Sequence, residues 1–240
     1  GAGDQVVAVD SFSTYPADAP VTDLSAFDPN VEAVAGYEPD LVLLSDDQGG
    51  IVAALEQLGI EVLQQPAATT LDDTYAQIEQ LGAVTGHFAD AAEVVKDMQS
   101  DIDDIVSSVA EPATPLTYYH ELDDTYYSVT STTFLGQLYS LLGLENIADA
   151  ADADGAAGGY PQLSAEYIVD QDPDLIFLAD TKCCGQSATT VPARPGWDAL
   201  TAVTKGGVVE LDDDIASRWG PRVVDQLRTV ADAISKLPVS

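Results

Sequence analysis

Basic residues are scarce in this sequence of 240 residues, which contains 8 Lys and Arg against 41 Asp and Glu. The formal net charge of −33 repels phosphate backbones and anionic lipid head groups, which excludes nucleic-acid binding and membrane docking through basic patches. The acid excess is typical of a solvated and salt-adapted surface. The few bases cluster towards the C-terminal end, because Lys96 is the only one before Lys182.

Long apolar runs are missing as well. None approaches the roughly 18 residues of a membrane-spanning helix. The sequence opens without a charged-then-apolar leader, and residues 1–4 are typical of a trimmed mature chain from which a signal or anchor has been removed. Apolar residues still make up 46% of the chain, which predicts a packed globular protein.

Motifs for catalysis and metal binding are also absent. The sequence contains no G-x-S-x-G nucleophile motif, no phosphate-binding P-loop and no G-x-G-x-x-G. Two histidines, His87 and His120, are too few for a three-histidine zinc site, and there is no Cys-x-x-Cys pair. We therefore predict a binding protein with no enzymatic activity, intrinsic cofactor or resident metal. The alternative is a metal-dependent hydrolase using His120 and carboxylates, although we expect the acid clusters at 123–124 and 212–214 to be solvated loops.

Short apolar segments alternate with helical patterns, which predicts parallel βαβ units. Residues 38–46, Glu-Pro-Asp-Leu-Val-Leu-Leu-Ser-Asp, recur at 172–180 as Asp-Pro-Asp-Leu-Ile-Phe-Leu-Ala-Asp, an offset of 134 residues. Apolar residues at helical spacing predict one long helix between the two copies. The sequence thus predicts two similar α/β lobes, 1–87 and 112–240, joined by a helix at 88–111.

The two cysteines are neighbours, Cys183 and Cys184, in the loop that follows the second copy of the repeated strand. Adjacent Cα atoms lie about 3.8 Å apart, below the usual range for a disulfide, so a bridge between them would be strained. Two reduced thiols and a closed ring both stay open, and an oxidising compartment favours the ring. Loops at this edge of an α/β sheet often carry function.

Aromatic side chains occupy loops where a flat ligand could contact them. Tyr15 and Tyr160 lie beside prolines, and Trp219 follows Arg218 at the entry of the last helix. Each residue alone is more typical of packing, but together they are typical of a cleft lining. His120 ends a predicted strand, so it lines either the same cleft or an ordinary loop.

These features resemble the substrate-binding proteins of ABC importers for cobalamin and ferric siderophores, in which a rigid helix joins two lobes. The resemblance covers nearly the whole chain, and its carriers keep a characteristic order and spacing. They are Val9-Asp-Ser-Phe-Ser-Thr-Tyr-Pro16, the two acid-Pro-Asp strands, the helix at 88–110, Tyr160-Pro-Gln-Leu-Ser-Ala-Glu166 and Ser217-Arg-Trp-Gly-Pro-Arg222. The resemblance implies a periplasmic-binding-protein-like fold: two similar α/β lobes, one long backbone helix and a ligand cleft between the lobes.

The resemblance also implies a function outside the cytoplasm, in the periplasm or on a lipid anchor at the outer face of the cell membrane. The protein would capture a bulky metal chelate and deliver it to an ABC permease and its ATPase. A corrinoid is favoured, a ferric siderophore is the next candidate, and haem is the third. We expect a monomer with no nucleic-acid partner. Zinc and manganese binders of this architecture need several histidines, which this chain lacks.

Site residues follow from the same resemblance. Cobalamin binders pack aromatic side chains on the corrin, whereas siderophore binders place arginines against the anionic chelate. The expected ligand-binding residues are Tyr15, Asp47, Gln48, His120, Tyr160, Cys183, Cys184, Arg194, Arg218 and Trp219. Family members dock on the permease with one acid from each lobe. This chain departs from that pattern, and Asp46 and Asp213 are the expected substitutes.

Overall fold

The structure is a computed structural model that describes residues 1–110 and 112–237. The chain forms two compact units: unit 1 comprises Gly1–Ala68 and Tyr75–Val95, and unit 2 comprises Thr69–Thr74 and the chain from Lys96 onward. The lobe boundaries expected near residues 87 and 112 stay a prediction. The end of the predicted helix at residue 111 and the end of the predicted second lobe at 238–240 lie outside the described residues.

Unit 1 contains a two-stranded parallel sheet. Strand β1 (Leu41–Leu44) pairs with β2 (Glu61–Gln64), and helix α2 (Ile51–Gln57) connects them. Helix α2 buries Ile51 and Leu55, which lie four residues apart and therefore on one face. This strand–helix–strand arrangement is the βαβ unit that the sequence predicts.

The chain before β1 is held by a short parallel bridge between Val9 and Val21. The loop inside this bridge carries Tyr15, and the peptide bond to Pro16 is cis. Helix α1 (Val31–Ala35) follows. Asn30 caps its start, because the Asn30 side-chain oxygen accepts a hydrogen bond from the Ala33 N–H. Capping of this kind satisfies a backbone donor that the first helical turn leaves unpaired.

Two long helices, α3 (Leu71–Thr85) and α4 (Phe88–Ser108), each contain residues of both units. Their close approach requires Gly82, since a Cβ atom there would lie 2.3 Å from the Ala91 Cβ. Helix α4 buries one apolar stripe at helical spacing. The stripe consists of Ala91, Val95, Met98, Ile102 and Ile105. The predicted long helix is therefore confirmed, and the fold is two α/β units with parallel sheets joined by a helix.

Unit 2 is built on a four-stranded parallel sheet in the order β4-β3-β5-β6. The strands are β3 (Thr117–Glu121), β4 (Glu145–Asn146), β5 (Leu175–Leu178) and β6 (Val208–Glu210). All four residues of β5 are fully buried, as expected for an interior strand of a parallel sheet that is covered on both faces.

The described part of unit 2 contains further α-helices after β3. They are α5 (Phe134–Ser140), α6 (Ala165–Gln171), α7 (Thr201–Thr204), α8 (Asp213–Ala216) and α9 (Val223–Lys236). The Ser164 side chain caps α6 by accepting a hydrogen bond from the Tyr167 N–H. Within residues 1–110 and 112–237, no helix combines the length and the apolar character needed to cross a bilayer.

The internal repeat is visible in the backbone. Glu38 before β1 and Asp172 before β5 both have a positive φ, of 51° and 44°, which is rare for residues other than glycine. The strand that follows each of them pairs in parallel with the next strand along the chain, β2 in unit 1 and β6 in unit 2. The two copies therefore share the turn geometry as well as the sequence pattern.

Candidate functional site

The loops after β5 and β6 meet at the carboxyl edge of the unit 2 sheet. Residues 180–187 follow β5, and the acidic segment 212–214 follows β6. The Thr181 N–H and hydroxyl both donate to the Asp213 carboxylate, at 3.0 and 2.7 Å, which joins the two loops. Ligand sites of α/β proteins commonly lie at this edge of the sheet.

Cys183 and Cys184 form a vicinal disulfide, and both residues are exposed. The N–H groups of Cys184 and Gln186 donate to the Asp180 carbonyl oxygen, at 3.2 and 3.3 Å, so the first residue of the loop anchors this part of it. Of the two states left open by the sequence, the structure contains the closed ring. The disulfide is available for contact with a ligand.

The acid cluster at 212–214 is not the solvated loop that the sequence analysis expects. The Asp213 carboxylate accepts hydrogen bonds from the backbone N–H groups of Lys182 and Cys183, at 2.8 and 3.2 Å, in addition to the two from Thr181. Partial burial raises the pKa of Asp213, but these hydrogen bonds outweigh it and lower the pKa below its usual value. The N–H groups of residues 181–183 all donate to the negatively charged Asp213 side chain, and a local sequence pattern does not reveal such a contact.

Ion pairs connect this acidic segment to Arg218, which precedes Trp219, one of the residues expected to contact the ligand. Lys182 Nζ lies 2.7 Å from Asp212 and 2.9 Å from Asp214, and Asp214 also accepts a 3.2 Å hydrogen bond from Arg218. Arg218, expected to face an anionic chelate, is thus engaged with a carboxylate. Trp219 follows it and is half-buried.

Arg194 forms a buried bidentate pair with Glu121 at the end of β3. Its Nη1 donates to Glu121 Oε2 at 2.6 Å, and its Nη2 donates to Glu121 Oε1 and to Gln186 Oε1. The guanidinium carbon lies 4.5 Å from the centre of the Trp197 ring. A buried carboxylate such as Glu121 needs a positively charged partner. Arg194 fills this role in the interior of unit 2 and is not part of a free anion-binding surface.

Asp180 is fully buried beside this pair. Neither of its carboxylate oxygens has a hydrogen-bond partner among the described residues. Burial, together with the charge of Glu121, raises the pKa of Asp180 to about 7. The protonated, neutral form of Asp180 is therefore favoured up to about neutral pH.

His120 lies inside β3 and is fully buried, not at a strand end facing a cleft. Its Nδ1 is 2.8 Å from the Tyr139 hydroxyl, which also accepts a hydrogen bond from Gln226. Burial lowers the pKa of His120 to about 3. Among the residues that the structure describes, no three His, Cys, Asp or Glu side chains lie close enough together to hold a metal ion.

Tyr15 and Tyr160, the two tyrosines expected to contact the ligand, both lie in loops and are exposed. Tyr160 in unit 2 is 50% exposed and follows Gly159, whose φ of 91° and close approach to Thr133 leave no room for a Cβ. The Asp152 carboxylate anchors this loop through the Gly159 N–H at 2.7 Å. Tyr15 in unit 1 is 61% exposed. Both rings are exposed, and their contact with a ligand stays a prediction.

The polar loop of unit 1 carries the remaining predicted residues, Asp46, Asp47 and Gln48, all exposed. Asp47 accepts a 2.9 Å hydrogen bond from the Val52 N–H at the start of α2, and Gln48 donates to Asp46 at 2.9 Å. Gln48 also lines a cavity of about 280 Å³ in unit 1, together with Phe27 and neighbouring residues.

Sequence reasoning missed Glu121, Asp180 and Gln186, which surround Arg194. One signal was available, because Asp180 ends the repeated strand in the position that Asp46 occupies in the first copy. The pairing of Glu121 with Arg194 had no local signal, since 73 residues separate them.

A family profile described as "periplasmic binding protein" matches residues 1–215 of this chain. The chain belongs to the periplasmic binding protein family. The family suggested by the sequence is thereby confirmed. Members of this family are solute-binding proteins, and the family match extends across both units.

The chain is also similar to individual relatives and solved structures. A cobalamin-binding protein of Halobacterium salinarum is 35% identical over 97% of this periplasmic binding protein, which spans 64% of that relative's length. An uncharacterized ABC transporter substrate-binding lipoprotein of Bacillus subtilis, YvrC, is 31% identical over 98% of the chain and 74% of its own length. The crystal structure of the periplasmic vitamin B12 binding protein BtuF of Vibrio cholerae matches with a TM-score of 0.71 and 25% identity, covering 98% of this chain and 90% of BtuF.

Proposed function

We propose that this protein is the extracytoplasmic substrate-binding component of an ABC importer and that its ligand is a corrinoid. It would capture the ligand without changing it and deliver it to a permease and its ATPase. The likeness to the cobalamin-binding protein of Halobacterium salinarum, over 97% of the chain, carries this proposal. Exposed aromatic rings and a polarizable disulfide on loops of this fold support it.

The charges of unit 2 favour a corrinoid over an anionic ferric chelate. Arg194, Arg218 and Arg228 each pair with a carboxylate of the protein. Binding an anionic chelate through them would first require breaking these pairs, in a protein whose net charge is −33. A macrocycle without net negative charge avoids both costs.

Haem has weaker support because the histidines are engaged elsewhere. His120 is buried in the core, and His87 lies 3.0 Å from Asp90 and is also in contact with Gln5. Haem iron commonly takes an axial ligand such as histidine or tyrosine, and the exposed Tyr15 and Tyr160 are candidates. The buried position of His120 equally removes the main support for a hydrolase, and we propose that the protein is not an enzyme.

Within this function, Tyr15, Tyr160, Trp219 and the Cys183–Cys184 ring would contact the ligand. Asp46, exposed in the polar loop of unit 1, stays the candidate for contact with the permease. Asp213 is a weaker candidate for docking, because both of its oxygens accept hydrogen bonds from the loop after β5.

A titration tests the proposal directly. The oxidised protein would be titrated with cyanocobalamin, a ferric hydroxamate chelate and haemin, each followed by absorbance and calorimetry at high and low salt. We expect stoichiometric binding of cyanocobalamin with the ligand recovered unchanged. Tyr160→Ala should weaken binding about tenfold, because an aromatic contact is lost, whereas the exposed control Tyr37→Ala should not. Tighter binding of the ferric chelate or haemin, or turnover of any ligand, would overturn the assignment.

A further inference from the structure

The Asp213 carboxylate holds three consecutive residues of the loop after β5. Oδ1 accepts from the Thr181 N–H and hydroxyl, and Oδ2 accepts from the N–H groups of Lys182 and Cys183. Hydrogen bonds to an ionised acceptor are shorter and stronger than neutral ones, and the distances here begin at 2.7 Å. One side chain thus satisfies the backbone on the N-terminal side of the disulfide.

The C-terminal side of the disulfide has its own anchor. The Asp180 carbonyl oxygen accepts from the N–H groups of Cys184 and Gln186. The backbone on each side of the exposed Cys183–Cys184 ring is therefore fixed, on the N-terminal side by Asp213 at the start of α8 and on the C-terminal side by the Asp180 carbonyl oxygen, two residues after β5.

We propose that Asp213 is a positioning residue that fixes the Cys183–Cys184 ring in the orientation in which it meets the ligand. This inference rests on the proposed function. A loop that is already ordered loses less conformational entropy when a ligand binds, so the anchor contributes to affinity without touching the ligand. The same anchor favours ring closure, because it holds the two cysteines in the geometry that the ring requires.

This role differs from permease docking, which the sequence analysis assigned to Asp213. A docking acid would change delivery to the permease and leave the disulfide unaffected. A positioning acid changes the disulfide equilibrium even when ligand and permease are both absent. The oxidation state of Cys183 and Cys184 is therefore a readout that separates the two roles.

The first arm measures thiol–disulfide exchange with dithiothreitol. One dithiothreitol thiolate attacks a ring sulfur, which breaks the Cys183–Cys184 bond, forms a mixed disulfide and releases the other cysteine as a thiolate. The second dithiothreitol thiol then attacks the mixed disulfide, closes to oxidised dithiothreitol and releases the remaining cysteine thiol. Asp213→Ala leaves three N–H groups without their acceptor. We expect the ratio of reduced to oxidised protein, at a fixed ratio of reduced to oxidised dithiothreitol, to rise about tenfold.

Two further variants keep this arm interpretable. Asp213→Asn retains one side-chain oxygen and should give a smaller shift in the same direction, and it serves as the test if Asp213→Ala does not fold. Asp232→Asn removes the same charge from an exposed position on α9 and should leave the exchange equilibrium unchanged. An Asp213→Asn variant that folds, with an equilibrium equal to that of Asp232→Asn, would overturn the positioning role.

The second arm titrates the oxidised variants with cyanocobalamin. We expect Asp213→Ala to bind about tenfold more weakly than Asp232→Asn. A shift in the exchange equilibrium with unchanged affinity would refute the link between this loop and the ligand. If the native protein binds no cyanocobalamin, the proposed function fails, and the exchange arm alone decides whether Asp213 positions the ring.

Discussion

The two copies of the repeated strand have the same local sequence and different surroundings. Leu43 in β1 is 51% exposed, whereas Phe177, which occupies the same position in β5, is fully buried. Strand β5 has β3 on one side and β6 on the other, while β1 pairs only with β2 among the described residues. The repeat therefore specifies a strand and its turn, and the neighbouring strands decide how deeply the strand is buried.

The units also differ in charge. Unit 1 contains no lysine or arginine, because the first of either in the chain is Lys96. Unit 2 contains all of them, and it places one pair, Arg194 with Glu121, in its interior. Unit 2 thus contains a buried ion pair, Arg194 with Glu121. Unit 1 has a small apolar core, and no lysine or arginine within it offsets the charge of its acidic residues. Four experiments test this contrast.

The largest effect is expected at the buried ion pair of unit 2. Arg194→Met removes the guanidinium and leaves Glu121 buried without its partner, so the free energy of unfolding should fall by about 3–5 kcal/mol. Urea unfolding followed by circular dichroism measures this change. The control Arg228→Met, in an exposed pair with Asp225, should cost less than about 1 kcal/mol. An equal fall in the free energy of unfolding for the two variants would refute the role of Arg194 as the stabilising partner of buried Glu121.

The next effect concerns the thin core of unit 1. Leu55 on α2 is fully buried, so Leu55→Ala should lower the free energy of unfolding by about 2–4 kcal/mol. Hydrogen exchange should show the loss in β1, β2 and α2, with little change in β5. Leu58→Ala, at an exposed position just after the same helix, is the control. Equal acceleration of exchange in β5 would mean that the units do not unfold separately.

A pH dependence is expected from Asp180. Its pKa of about 7 lies above the value of about 3.9 in the unfolded chain, so the folded state binds the proton more tightly. The contribution of this residue to stability is therefore fully present below about pH 4 and declines as the pH rises to about 7.

Asp180→Asn should remove this decline and raise the free energy of unfolding at pH 8 by about 2 kcal/mol relative to the native protein. Unfolding midpoints measured between pH 4 and pH 8 test the expectation. Asp170→Asn, an exposed acid on α6, serves as the matched control. A native slope that survives in Asp180→Asn would show that another group titrates.

The smallest effect compares two helix caps at equivalent positions of the repeat. Asn30 caps α1 in unit 1 and Ser164, 134 residues later, caps α6 in unit 2. Asn30→Ala and Ser164→Ala should each cost about 1 kcal/mol, because each leaves one helical N–H without its acceptor. Hydrogen exchange should locate the first loss in unit 1 and the second in unit 2. A loss in the same unit for both variants would contradict the division of the chain.

Local patterns predicted much of the fold. The acid-Pro-Asp turns, the strands that follow them and the long helix are encoded by neighbouring residues, and all of them are present. The positions of Tyr15, Tyr160 and the adjacent cysteines in loops were predictable for the same reason, since a loop position follows from the strand or turn beside it.

Partners distant in sequence were not predictable. Arg194 and His120 carry side chains that suit a ligand site, and only the packing of β3 against the rest of unit 2 shows that they lie in the interior. The triple aspartate at 212–214 was misjudged for a related reason. The donors to Asp213 include backbone N–H groups about 30 residues away, and every non-proline residue has such a group.

The position of Lys96 has a practical consequence for proteolysis. Trypsin cleaves after lysine and arginine, so its first site in the chain lies inside α4, directly after Val95, the last residue of unit 1. An intact helix resists the enzyme, and cleavage there requires local opening of the backbone. The rate at which a fragment of residues 1–96 appears would therefore report how often α4 opens between the two units, without any label attached to the protein.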